Sequence, residues 1–277
     1  MKYEVIHGIV NNTFLPSYYK LKDYLKENNL DNNHLNQNNQ IEGGFNLDFC
    51  ACDTKTAFEK NLKTHPKDWY YRTHPVKYTL NSLGYRTKEF DEIDWKESIV
   101  IFGCSFIFGT GVTDEHTVSY FLQELLKRPV INMGIGASSI QTALHNSIIL
   151  NDSKYPTPKA VIYAWTSLNR FQIYECDSVS NAMEFGNLVE HDHFNNIKNV
   201  IPFNLMNIKM IRNLWKNKTI YYEYTNFRQH ELINKLDKEI YCDFFPADMN
   251  SRELSHPGIL SNKKIAENIY EKIKDKI

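Results

Sequence analysis

A chain of 277 residues, 42% of them hydrophobic, carries enough apolar material for one sizeable core. A formal net charge of −1 gives no basic field for a polyanion, so nucleic acid is not an expected partner. No run approaches the length of apolar residues that spans a bilayer, so membrane insertion is not expected. The start Met1-Lys2-Tyr3-Glu4 is too polar for a signal peptide, and a cytoplasmic location is the expectation.

In chain order, Leu15–Leu25 has the helical spacing of Tyr and Leu, and 28–40 is a polar, Asn-rich loop. Residues 43–95 are rich in aromatics, His and Lys and show no long periodic segment. Residues 1–95 are therefore expected to form an irregular N-terminal extension packed on a main domain, 96–277. There the pattern changes to apolar runs alternating with amphipathic stretches. Strands are expected at Ser98–Phe102, Pro129–Met133, Ala160–Trp165, Lys218–Tyr224 and Glu239–Phe245. Helices are expected at Thr117–Leu126, at Ser139–Leu150 with Ser138 or Ser139 as cap, within 203–216 and at Asn262–Ile273, whose Ile265, Ile269 and Ile273 share a face. Apolar strands separated by helices give an α/β fold with a parallel sheet covered on both faces. Right-handed crossovers put the strand C-termini on one edge, where ligands bind. Ser105, Gly134 and Asn169, each just past a strand, should face one crevice there.

The five cysteines, Cys50, Cys52, Cys104, Cys176 and Cys242, are odd in number and scattered, so they read as free thiols. Cys50-x-Cys52 lacks the second pair that completes a zinc site, and His191-Asp192-His193 lacks further ligands nearby. Neither a metal nor an organic cofactor is expected.

The chemistry-bearing residues lie in four places. In Gly103-Cys104-Ser105-Phe106, a serine stands two residues past the glycine that ends the first strand, as an exposed nucleophile or as a cap of the next turn. In Asn132-Met133-Gly134-Ile135-Gly136-Ala137-Ser138-Ser139, backbone N–H groups at a helix start suit an anion or simply make a tight turn. Asn169 follows the third strand, as an amide donor or a turn residue. In Glu253-Leu254-Ser255-His256-Pro257-Gly258, Pro257 biases His256 away from the α region, and a carboxylate three residues back can fix its tautomer. Cys104 reads as a packed thiol.

Ordered as Ser, Gly, Asn and His, these blocks resemble the SGNH (GDSL-type) hydrolases. The resemblance covers about residues 78–275, including Asn81-Ser82-Leu83-Gly84-Tyr85-Arg86, a stretch often found before the first block. Cys104 stands where the family usually has Asp, Ser167-Leu168-Asn169-Arg170 replaces the usual third block, and Ala137 occupies a frequent oxyanion glycine position. A backbone N–H survives Gly→Ala, provided that Ala137 need not adopt positive φ. The resemblance implies a three-layer α/β/α sandwich with a parallel, five-stranded, flavodoxin-like sheet. It also implies a triad of Ser105, His256 and Glu253, with Asp248 as the alternative acid, or a Ser105–His256 dyad with no acid at all. The implied oxyanion hole comprises Ser105, Gly134, Gly136, Ala137 and Asn169, and the substrate is a small acyl ester or acylated carbohydrate. An O-acyltransferase with the same triad, or a silent glycan- or protein-binding domain, are the alternatives.

Overall fold

A computed structural model of the chain describes residues 44–50, 52–175, 178–182, 200–225, 241–243 and 248–277. The helix expected at Leu15–Leu25, the loop at 28–40 and the His191-Asp192-His193 trio lie outside them.

The part of the extension that is described is more regular than its sequence suggests. Phe45–Leu47 (β1) begins it, and Lys55–Thr64 forms a ten-residue helix (α1). Only Ala57, Phe58 and Leu62 of α1 are apolar, so no periodic stripe announces it. Its start is set locally, because Thr54 Oγ1 accepts the Ala57 N–H at 3.1 Å. Tyr78–Leu80 (β2) returns antiparallel to β1. Tyr71, Val76, Tyr78 and Leu80 close a small core on Phe108 of the main body.

The main body follows the expected alternation. Its elements are Ile99–Gly103 (β3), Ser105–Phe108 (α2), Val118–Leu126 (α3), Val130–Gly134 (β4), Ile140–Asp152 (α4) and Ala160–Trp165 (β5). A hairpin that the sequence reading did not anticipate, Phe171–Glu175 (β6) with Ser178–Ala182 (β7), precedes Val200–Trp215 (α5) and Ile220–Thr225 (β8). Of the last expected strand, Tyr241–Asp243 (β9) is described, and Ile259–Ile273 (α6) follows. Of the two serines expected to cap α4, Ser139 does so, within a capping box with Thr142, while Thr117, expected inside α3, is instead its cap.

The sheet runs β4-β3-β5-β8-β9, each neighbour parallel to the next. Alternation along the strands sorts the core into two layers. Val100, Phe102, Val161 and Tyr163 meet α4 and α5 through Ile149, Ile208 and Trp215. Ile99, Ile101 and Ile162 meet α3 and α6 through Val118, Leu122, Ile265 and Ile269. With both faces covered, β3 reads as one continuous apolar run. Among the described residues, no helix is long and apolar enough to cross a membrane.

Arg86 fastens the stretch Asn81–Arg86 to the turn that follows the first block. Its guanidinium is buried and donates to the carbonyls of Phe108, Gly109 and Val112 at 3.1, 2.7 and 3.1 Å, and its Nε to Asp114 at 2.7 Å. It thereby clamps the turn after α2, where Gly109 adopts φ 80°, a left-handed conformation suited to glycine.

Candidate active site

β3 carries the chain to the C-terminal edge of the sheet, and Cys104, buried, takes the N-cap position of the short helix α2 that begins at Ser105, without a side-chain capping bond. As the first helical residue, Ser105 has its N–H in the turn whose donors have no intrahelical acceptor. Its hydroxyl does not cap the helix. Instead it points at the loop before α6, where His256 Nε2 lies 2.8 Å away. His256, read from sequence as either a base or a surface loop residue, is only 9% exposed. The ring of Phe106 packs edge-on against the imidazole, centroids 5.5 Å apart.

The loop holding His256 is folded around Ser251. The Leu254 N–H bonds to the Ser251 carbonyl at 3.0 Å, the His256 N–H to Ser251 Oγ at 3.2 Å, and Leu254 takes φ 67°. This tight turn swings Glu253 back so that its Oε1 meets His256 Nδ1 at 2.7 Å. Glu253 also accepts the hydroxyl of Ser251 at 2.6 Å and, on Oε2, the N–H of Ser255 at 2.9 Å and its hydroxyl. Asp248 is used elsewhere: its Oδ1 accepts the N–H groups of Asn250 and Gly258, at 3.2 and 2.9 Å, and secures the entry to α6.

The electrostatics follow from this geometry. Burial works against ionised Glu253, but the hydrogen bond and charge of His256, with the Ser251 and Ser255 hydroxyls, outweigh it and hold the carboxyl at about 2. Glu253 is thus an acceptor only, so Nδ1 carries the proton between them and Nε2 is the nitrogen left to titrate. Burial also disfavours the imidazolium. The neighbouring Cys52 thiol and Glu253 overcome that and raise His256 to about 9.

Residues that sequence reasoning missed fasten this loop to the extension. Arg252 is buried and directs Nε and Nη2 onto Asp53, at 2.9 and 2.7 Å, and Asp53 is itself fully buried. Tyr78 donates its hydroxyl to the same carboxylate and accepts the Gly111 N–H at 2.8 Å. The Arg252 N–H bonds to the Gly111 carbonyl at 2.9 Å, its carbonyl accepts from Asn61 at 3.0 Å, and its guanidinium lies 4.4 Å from the centre of the Phe49 ring. In sequence, an Asp at the head of Thr54-Lys55-Thr56 and an Arg beside a Glu both look like surface. Their 199-residue separation left no local signal.

The expected oxyanion groups are arranged differently from one another. Gly134 donates its N–H to Asn132 Oδ1 at 2.9 Å, so that donor is already engaged. Its lack of a side chain serves packing, since a Cβ would stand 2.3 Å from Phe108 N and displace α2. Gly136 and Ala137 are half-buried on the turn beyond, and a Cβ on Gly136 would meet open space. Ala137 does adopt positive φ, 57°, so its N–H is retained only at the cost of backbone strain. An L-residue there costs about 1–2 kcal/mol. Asn169 is half-buried in the turn after β5, its N–H 3.4 Å from Ser167 Oγ, and no hydrogen bond joins its amide to the Ser105–His256–Glu253 chain.

No protein-family profile and no curated protein matches the chain. It is similar to solved structures of GDSL/SGNH-family lipolytic proteins and esterases, at low identity. One is a protein assigned to the G-D-S-L lipolytic family from Desulfitobacterium hafniense, with TM-score 0.44, 14% identity, and 64% of this chain and 99% of that one covered. Another is an acetyl xylan esterase of the rumen bacterium Butyrivibrio proteoclasticus, with TM-score 0.43, 12% identity, and 66% and 64% covered. A third is an SGNH-hydrolase family esterase, with TM-score 0.33, 16% identity, and 65% and 80% covered.

Proposed function

We propose that the chain is a serine hydrolase of carboxylic esters. The observation that carries this reading is the continuous relay from Ser105 Oγ through His256 to Glu253, at 2.8 and 2.7 Å. In it, the neutral fraction of His256 takes the Ser105 proton as Oγ attacks the ester carbonyl. Glu253 fixes the tautomer and stabilises the imidazolium that forms. The imidazolium then protonates the departing alcohol, and water activated by the same nitrogen releases the acid from the acyl-enzyme. The Ser105 N–H, the N–H groups at Gly136 and Ala137 and the Asn169 amide serve the oxyanion, each worth about a hundred- to a thousandfold in rate. Gly134 acts by letting α2 approach.

The strand order second, first, third, fourth, fifth is that of flavodoxin-type sheets. It supports reading 96–277 as the catalytic domain, with residues 1–95 as its extension. The finer substrate reading is a small acyl ester, such as an O-acetyl group on a carbohydrate.

The test is labelling by a fluorophosphonate probe together with hydrolysis of p-nitrophenyl acetate. Both should occur in the wild type and vanish in Ser105→Ala and His256→Ala. Turnover that survives Ser105→Ala refutes the mechanism. Labelling without hydrolysis, relieved by a sugar acceptor, identifies an acyltransferase, and neither labelling nor turnover identifies a binding domain. Release of acetate from an acetylated oligosaccharide checks the substrate class.

A further inference from the structure

Cys52 lies on the turn before α1 and places an exposed thiol 3.8 Å from His256 Nδ1. Its Sγ, a Glu253 oxygen and a His256 ring nitrogen all lie within 4.8 Å of one another. Thiolate, imidazole and carboxylate are the ligand types of zinc. A zinc ion bonds sulfur at about 2.3 Å and nitrogen at about 2.0–2.1 Å, which sets those two atoms about 3.6 Å apart at a tetrahedral angle. Sγ and Nδ1 already stand close to that spacing. Glu253 Oε1 has only to draw back from its hydrogen-bonded position to become the third ligand, and water can fill the fourth. The exposed thiol is the way in. Cys50-x-Cys52 looked incomplete as a metal motif because Cys50 faces the core, while the partners of Cys52, Glu253 and His256, come from some two hundred positions further along the chain.

We propose that Cys52, Glu253 and His256 Nδ1 form an inhibitory site for a thiophilic divalent cation such as Zn²⁺. Binding to the imidazolium form releases two protons to solvent, one from the thiol and one from Nδ1, whereas binding to the neutral form releases the thiol proton alone as the ring proton moves from Nδ1 to Nε2. An imidazole that binds a cation through Nδ1 keeps its remaining proton on Nε2. That proton faces Ser105 Oγ, so Nε2 has no lone pair with which to accept the serine proton. Glu253, drawn onto the ion, no longer orients the ring. The cation therefore silences the relay without touching Ser105. The effect on catalysis rests on the esterase reading, whereas the cation site does not.

The test separates the two. Co²⁺ titrated into metal-free protein is followed by its thiolate charge-transfer absorption, and Zn²⁺ is titrated against p-nitrophenyl acetate hydrolysis. The cobalt band should appear in the wild type and be lost in Cys52→Ser. Zinc should inhibit the wild type and EDTA should reverse it, while Cys52→Ser should need about tenfold more zinc or beyond for half-inhibition of its own rate. A wild type without the band, a band that persists in Cys52→Ser, or equal zinc sensitivity of the two proteins overturns the proposal. A Cys52-dependent band in a protein that hydrolyses no ester refutes the esterase reading and leaves the cation site standing.

Discussion

Replacing Asp53 by Ala removes the only carboxylate in contact with the Arg252 guanidinium among the described residues. Arg252 and Asp53 side chains are 3% and 0% exposed, so water cannot take over. An uncompensated buried charge costs about 3–5 kcal/mol, or about two to four powers of ten in the folding constant. The Tyr78 hydroxyl loses its acceptor in the same step. Urea titration followed by circular dichroism should show a lower midpoint at unchanged slope. Asp53→Asn, which keeps volume and one acceptor oxygen, should lie between. Replacing both partners by apolar residues, Asp53→Leu with Arg252→Met, should recover much of the loss, because no charge is then left buried. A loss below about 1 kcal/mol in Asp53→Ala would show that the pair is screened like a surface bridge and would refute the reasoning. Because Arg252 adjoins Glu253, hydrolysis by the folded fraction of Asp53→Ala should also fall.

With burial opposing it, His256 is raised to about 9 by Cys52 and by Glu253, so kcat/KM should rise with pH, reach half its plateau near 9 and level off above it. Glu253→Gln removes two of the raising influences and should move that limb to lower pH while lowering the plateau; a limb that stays put in a pH–rate profile contradicts the assignment. The sign for stability is fixed by the same shifts: the His256 contribution is complete below its ordinary 6.5 and is lost as pH rises through about 9. The contribution of Glu253 is complete above 4.5 and is lost as pH falls towards about 2, and both should show in urea midpoints measured across pH. Gly134→Ala should push α2 off β4 and cost both stability and fluorophosphonate labelling, since the new Cβ meets backbone at 2.3 Å. Ala137→Gly should gain up to about 1 kcal/mol in chemical denaturation by relieving positive φ, and no gain or a loss would mean that the turn is not strained.

What could be read in sequence was whatever is periodic or punctuated. The run Ile99–Phe102, the cap at Ser139 and the isoleucines of α6 announce themselves within a few residues, and so do the four blocks in their order. Glu253 was legible because its partner is three residues away. Asp53, Asn61, Tyr78 and Cys52 were not, because each acts on a residue far along the chain. α1 escaped notice for the related reason that it buries little, and its signal was a cap rather than a stripe. The different fates of Gly134 and Gly136 were also invisible. One is defined by the backbone of α2 packed against it and the other by open space.

The bond between Asp53 and Arg252, with Ser105 between them in sequence and His256 just beyond, has a kinetic consequence. Contacts spanning some two hundred residues form late, because so much chain must be ordered before their loops close. Ser105 can be in place as soon as β3, β4 and α2 have docked, but it has no base until the last fifth of the polypeptide arrives and is fastened to the first. A chain still emerging in synthesis, or halted partway through refolding, would hold a sheet and a serine without reactivity. Fluorophosphonate labelling during refolding should then lag behind the recovery of secondary structure and report the closing step alone.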